Sequence, residues 1–139
     1  MADNEFSRSD RVSISDSAIV IYKELTEGSN IEDVPFRTLK EVFMLAVCVG
    51  YQMGQRQALP PGSKHTIRRE VFTESDYTVL RAIALAATDD IEVLMRPHEV
   101  LTIAEEYAQT GIQYVKTHLL STGGRPLWHL VQILTTVRV

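Results

Sequence analysis

Eight apolar residues in a row, Val42-Phe43-Met44-Leu45-Ala46-Val47-Cys48-Val49, constrain this chain more than any other stretch. Thr38 precedes the run, and Glu41 stands three residues after Thr38. That pair is a capping box, in which the threonine hydroxyl takes an orphan N–H of the first turn and the glutamate returns to the threonine N–H. A cap followed by unbroken apolar sequence predicts a helix that opens at Thr38, runs to about Met53 and stops at Gly54. A helix apolar on nearly every face must be surrounded, by other elements or by another subunit. Cys48, with Val47 and Val49 beside it and Met44 one turn back, is expected to be a buried, inert thiol that fills space.

The flanking segments arrange themselves around that central helix. Residues 1–10 are polar and expected to form a flexible arm. Arg11-Val12-Ser13-Ile14-Ser15 alternates polar and apolar, the period of a short half-buried strand. Ser15 or Asp16 can cap a helix ending near Gly28, with Ala18, Ile21, Tyr22 and Leu25 on one face. Ser29 with Glu32 is a weaker capping pair in the connection that follows. Pro60-Pro61-Gly62 interrupts helix firmly, and residues 65–72 read as extended. Thr73 or Ser75 opens another helix through Ala87, with Leu80, Ile83, Ala84 and Ala87 as its stripe. Asp89 and Asp90 introduce a short helix from Ile91 to Met95. A long helix follows over about 98–120, with Leu101, Ala104, Ala108, Ile112, Val115 and Leu119 at helical spacing. Gly111 inside it marks a bend or a close contact. Ser121 to Arg125 is a loop, and Pro126 suits the first turn of a last helix to about Thr136. The expected fold is all-α: a single compact domain over 11–139, five or six helices around the apolar one, with at most a short N-terminal strand.

Bulk properties narrow the function classes. A chain of 139 residues with 45% hydrophobic and 23% charged residues supports one proper core. The net charge of −4 disfavours bulk attraction to nucleic acid or anionic lipid, while leaving room for a local basic patch. The single cysteine allows no intramolecular disulfide and no cysteine-based zinc site. No apolar run approaches a membrane span and the N-terminus lacks a signal pattern, so a cytoplasmic, membrane-free location is expected.

No catalytic constellation stands out. His65, His98, His118 and His129 form no helical metal pair, and neither a metal nor a cofactor is expected. There is no phosphate-binding glycine loop ending in Lys-Ser/Thr and no Gly-x-Ser-x-Gly elbow. Asp89, Asp90 and Glu92 are the best acids for a metal-dependent nuclease, yet they read better as caps and dipole partners of the short helix. Glu105 and Glu106 read as a solvated face. Positive charge collects in one place, at Arg56, Lys64, Arg68 and Arg69, with His65 among them. Lysine and arginine are what phosphate contacts require. In an extended stretch, however, Arg68 and Arg69 point to opposite faces.

An alternative reading comes from the order strand, helix, helix at the N-terminus. That is the order of a ribbon-helix-helix transcription regulator, whose strands pair across a dimer and enter the major groove. Arg11, Ser13 and Ser15 would form the polar face and Val12 and Ile14 the core.

Several blocks also carry a resemblance. They are Thr38-Leu39-Lys40-Glu41-Val42-Phe43, Ala46-Val47-Cys48-Val49-Gly50-Tyr51, Gly54-Gln55-Arg56, Ile67-Arg68-Arg69-Glu70-Val71-Phe72, Ala82-Ile83-Ala84-Leu85-Ala86 and Ile103-Ala104-Glu105-Glu106-Tyr107-Ala108, with Gly111 beyond. Taken in order they resemble a family of small proteins encoded with bacterial DNA phosphorothioation (Dnd-type) systems. The resemblance implies an accessory role in DNA modification or phage defence, and it brings no catalytic residues with it. The early helices also look something like the small DNA-associating subunit of such machinery, which implies a homo-oligomer. The leading expectation is therefore a non-enzymatic accessory protein whose basic residues Arg56, Lys64, Arg68 and Arg69 meet DNA or a larger protein of the same system.

Overall fold

The computed structural model describes residues 11–28, 30, 32–120 and 125–136. Along them run strand β1 (Arg11–Ile14), helix α1 (Asp16–Thr26), helix α2 (Leu39–Met53), strand β2 (His65–Arg68), helix α3 (Glu74–Thr88), helix α4 (Pro97–Leu119) and helix α5 (Pro126–Thr136). Short 3-10 helices, Arg69–Val71 and Ile91–Met95, precede α3 and α4. The all-α expectation holds, with five α-helices among the described residues and one small two-stranded sheet. The 1–10 arm, Ser29 of the weaker capping pair and Ser121 to Gly124 of the loop lie outside the described residues.

Local chemistry sets the helix ends. In α2 the Glu41 N–H donates to Thr38 Oγ1 at 3.3 Å, and the Thr38 N–H donates to Glu41 Oε1 at 3.1 Å. Both orphan donors are satisfied, as the capping box requires. Gly54 ends the helix in the left-handed region, at φ 70°, where glycine escapes the Cβ clash. The choice between Ser15 and Asp16 falls on Ser15, whose hydroxyl accepts from the Ala18 N–H at 3.2 Å. Thr73, not Ser75, opens α3, through a second capping box with Asp76. Pro97 occupies the first turn of α4, where its missing N–H costs nothing.

The core lies where α2 crosses α4. Val42, Phe43, Ala46 and Val47 are fully buried against Ala104, Ala108 and Ile112. Two glycines allow the crossing. A Cβ at Gly50 would collide with the Tyr107 carbonyl, and one at Gly111 with the Ala46 carbonyl. Gly111 thus marks close contact, not a bend. Gly50, inside α2, is buried in the same crossing. Phe43 meets Phe72 edge-on at 5.7 Å between centroids and Phe72 meets Tyr77 at a tilt at 6.1 Å, an aromatic chain that brings α3 onto α2.

Four expectations need correction. The extended reading of residues 65–72 holds only for His65–Arg68, because Arg69–Val71 turn into a 3-10 helix. Cys48 is exposed, not buried. The helical period of 3.6 puts it one turn beyond Met44 and one turn before Gln52, on the face that α4 and α1 leave uncovered. Neighbouring apolar side chains still push its thiol pKa up by desolvation, so the thiol stays protonated. The ribbon-helix-helix reading fails on its pairing. β1 pairs antiparallel with β2 of the same chain, Arg11 opposite Arg68 and Ile14 opposite His65. On its other side the Ser13 N–H donates to Glu105 Oε1 at 2.8 Å, so that donor is not offered to a second chain. Glu105 and Glu106, finally, are half-buried and engaged, not a solvated face.

Candidate functional site

The ribbon of β1 and β2 sorts its residues by the strand period of two. Val12 and Ile67 face inward as one buried pair, with Ile14 beside them. Arg11 opposite Arg68 and Ser13 opposite Thr66 form the outer face. Like charges placed directly across a strand pair repel and destabilise it. Neither arginine enters an ion pair with any described residue. Lys64, one residue before β2 and in phase with Thr66 and Arg68, is exposed as well. Its backbone N–H donates to Asp16 Oδ1 at 3.4 Å, which fixes the approach to the strand. His65 Nε2 lies 3.8 Å from the same carboxylate.

Arg11, Ser13 and Glu105 also line an open cleft of about 440 Å³ against the Leu59–Ser63 loop. Along the ribbon and this cleft the exposed donors are guanidinium, ammonium and hydroxyl groups. These are the groups that contact sugar-phosphate backbone.

The four basic residues expected from sequence do not all meet. Lys64 and Arg68 share the outer face of the ribbon. Arg69 turns away in the 3-10 helix, its guanidinium carbon 5.4 Å from the Tyr77 ring centroid. Arg81 approaches that ring to 5.3 Å. Arg56 lies against α4, 3.7 Å from Glu106 and 5.8 Å from the Tyr107 ring centroid. Its charge is partly answered, whereas Lys64, Arg11 and Arg68 form no ion pair with a described residue. Arg11 is the residue that the basic-cluster reasoning missed. Its signal was present in the alternation of residues 11–15, but its neighbour Arg68 is 57 positions away in sequence.

The acids considered for metal chemistry have structural work. Asp90 caps the Ile91–Met95 helix by accepting from the Glu92 N–H at 3.0 Å, and pairs with Arg96 at 2.8 Å. Asp89 ends α3 in the left-handed region, at φ 53°. Among the described residues no three histidine, cysteine or acidic side chains converge as a metal site. No helix among them is long and apolar enough to cross a membrane.

Comparison with curated proteins and with solved structures returns no match. A family model does match, over residues 11–138, and its description is DNA sulphur modification system-associated protein 4. The match takes in the capped central helix, both glycines of the crossing and the arginine-bearing ribbon, so the chain belongs to this family of proteins associated with DNA sulphur modification.

Proposed function

We propose that this protein is a non-enzymatic accessory component of a phosphorothioation-linked phage-defence system, acting in the cytoplasm, and that it holds duplex DNA by its phosphate backbone. The observation that carries the reading is Arg11 set directly opposite Arg68 on an exposed ribbon face, with neither arginine in an ion pair with a described residue. Repulsion of that kind is a cost to the fold, and a bound polyanion removes it. Lys64 extends the same face, while Arg56 and Arg69 flank it at positions already held by Glu106 and Tyr77. The family context, association with a DNA sulphur modification system, fits DNA and a larger protein of that system alike, and the arginine pair is what favours DNA.

The test is binding to duplex DNA across a salt series. Three phosphate contacts give a log–log slope of about −2.7, which weakens binding roughly fortyfold between about 50 and about 200 mM salt. Replacing Arg11 and Arg68 together by alanine lowers that slope by about 2. Absence of binding at low salt, or a slope indifferent to this pair, removes the DNA reading and leaves the protein partner.

Self-association belongs to the same reading. Helix α5 exposes Trp128, Val131 and Leu134 at one-turn spacing, with Trp128 60% accessible. A tryptophan that open, in line with two aliphatic residues, suits a face covered by a second copy.

A further inference from the structure

We propose that a second site, separate from the ribbon, accepts an unpaired nucleobase. It is a groove of about 370 Å³ between the segment that leaves α2 and the C-terminal half of α4. Gln55, Gln57, Gln113, Tyr114, Thr117 and His118 supply its polar and aromatic lining. Among the described residues no aspartate, glutamate, lysine or arginine lines it. A phosphate site would need cations, so this groove selects a neutral, polar ligand.

Its chemistry narrows the class further. The backbone under each glutamine is pinned. Thr110 Oγ1 donates to the Gln55 carbonyl at 2.6 Å, the Gln57 N–H donates to the Glu106 carbonyl at 3.2 Å, and Thr117 Oγ1 donates to the Gln113 carbonyl at 3.0 Å. The three side-chain amides have no hydrogen-bond partner among the described residues. Each amide offers a donor and an acceptor side by side, the pattern that pairs with the edge of a base.

Tyr114 and His118, one turn apart, stack at 3.8 Å between centroids and 17° between planes. His118 Nδ1 lies 3.0 Å from the Tyr114 carbonyl. A carbonyl can only accept, so Nδ1 carries the proton and Nε2 of the neutral ring is an acceptor. That bond fixes the ring in its stacked pose. Amide edges beside a held aromatic stack are the two elements of base recognition in single strands, and every base has a face to add to the stack.

The site extends the DNA reading to an unpaired strand without depending on the ribbon. The experiment compares labelled single-stranded oligonucleotides of equal length, one of adenine nucleotides and one abasic, by fluorescence anisotropy. Both carry the same phosphates, so the difference reports the base alone. The expected result is about tenfold tighter binding of the base-bearing strand, the gain from one stacked and hydrogen-bonded base. Gln113→Ala and His118→Ala, both at exposed positions, should each erode that preference while keeping the native circular dichroism. Arg11→Ala with Arg68→Ala should weaken both oligonucleotides equally and leave the ratio intact. Equal affinity for the two strands overturns the proposal, and so does a preference that survives both groove variants. Loss of duplex binding alone, with the base preference retained, overturns the ribbon reading and leaves the groove standing.

Discussion

Replacing Gly111 with alanine sets two physical effects against each other. Alanine is the better helix former, worth about 1 kcal/mol over glycine in a helix interior. The added methyl, however, meets the Ala46 carbonyl and the Gly50 backbone of α2. Backbone atoms cannot rotate out of the way, so α2 and α4 must separate. Their interface holds Ala46, Val47, Ala104 and Ala108, all at most 4% exposed. Forcing a methyl into so close a fit costs about 3 kcal/mol, which leaves a net loss of about 2 kcal/mol after the propensity gain. For a domain of this size that lowers Tm by about 8 °C. Gly54→Ala is the control. It imposes an unfavourable left-handed φ of 70° with nothing within 4 Å of the new carbon, so it should cost only about 1 kcal/mol. Urea unfolding of both variants, with Gly50→Ala and the Gly50→Ala/Gly111→Ala pair, measures the balance. The double variant should lose less than the two single losses combined, because one separation of the helices accommodates both methyls. A Gly111→Ala protein as stable as the parent would refute the close crossing, since propensity would then have prevailed.

Two further outcomes follow from the geometry. Partial burial opposes ionisation of Asp76, but hydrogen bonds from Thr73 and the Lys40 ammonium at 2.9 Å outweigh it and hold the carboxyl below its ordinary 3.8. Its stabilisation is therefore complete above the unfolded value and is lost as pH falls through the lower folded value. Denaturant titrations of the parent and Asp76→Asn should show the parent more stable at neutral pH and the two converging in acid; a gap that widens in acid would contradict this. Trp128→Glu should reduce the sedimentation mass to that of one chain, and a parent protein that sediments as a single chain would end the case for self-association through α5.

Much of this architecture was legible because it is local. Thr38 with Glu41 announces a helix start within four residues, Thr73 and Ser75 bracket the next, and Gly54 announces a stop. What escaped was decided by contacts between distant segments. Nothing near Cys48 reveals which face of α2 the long α4 leaves open. Nothing near Gly50 in sequence announces the Tyr107 carbonyl packed against it. The inner and outer faces of residues 11–14 were readable from alternation, but the partner strand was not, because β2 lies beyond two helices and a proline turn. The candidate site divided for the same reason. Proximity in sequence grouped Arg56 with Arg68, whereas the fold gives Arg56 to α4 and pairs Arg68 with Arg11.

Helix α4 has a consequence as a ruler. Glu105, before its midpoint, touches the ribbon, and Tyr114 and His118 line the groove toward its end. Nine to thirteen residues separate these points, so at about 1.5 Å of rise each they stand roughly 14–20 Å apart along the axis. The packed helix cannot stretch, and the two surfaces keep one spacing. At about 3.4 Å of rise per base step in a duplex, that span corresponds to roughly four to six base steps. An oligonucleotide shorter than this can occupy the ribbon or the groove, whereas a longer one can bridge them and gain the advantage of a tethered second contact.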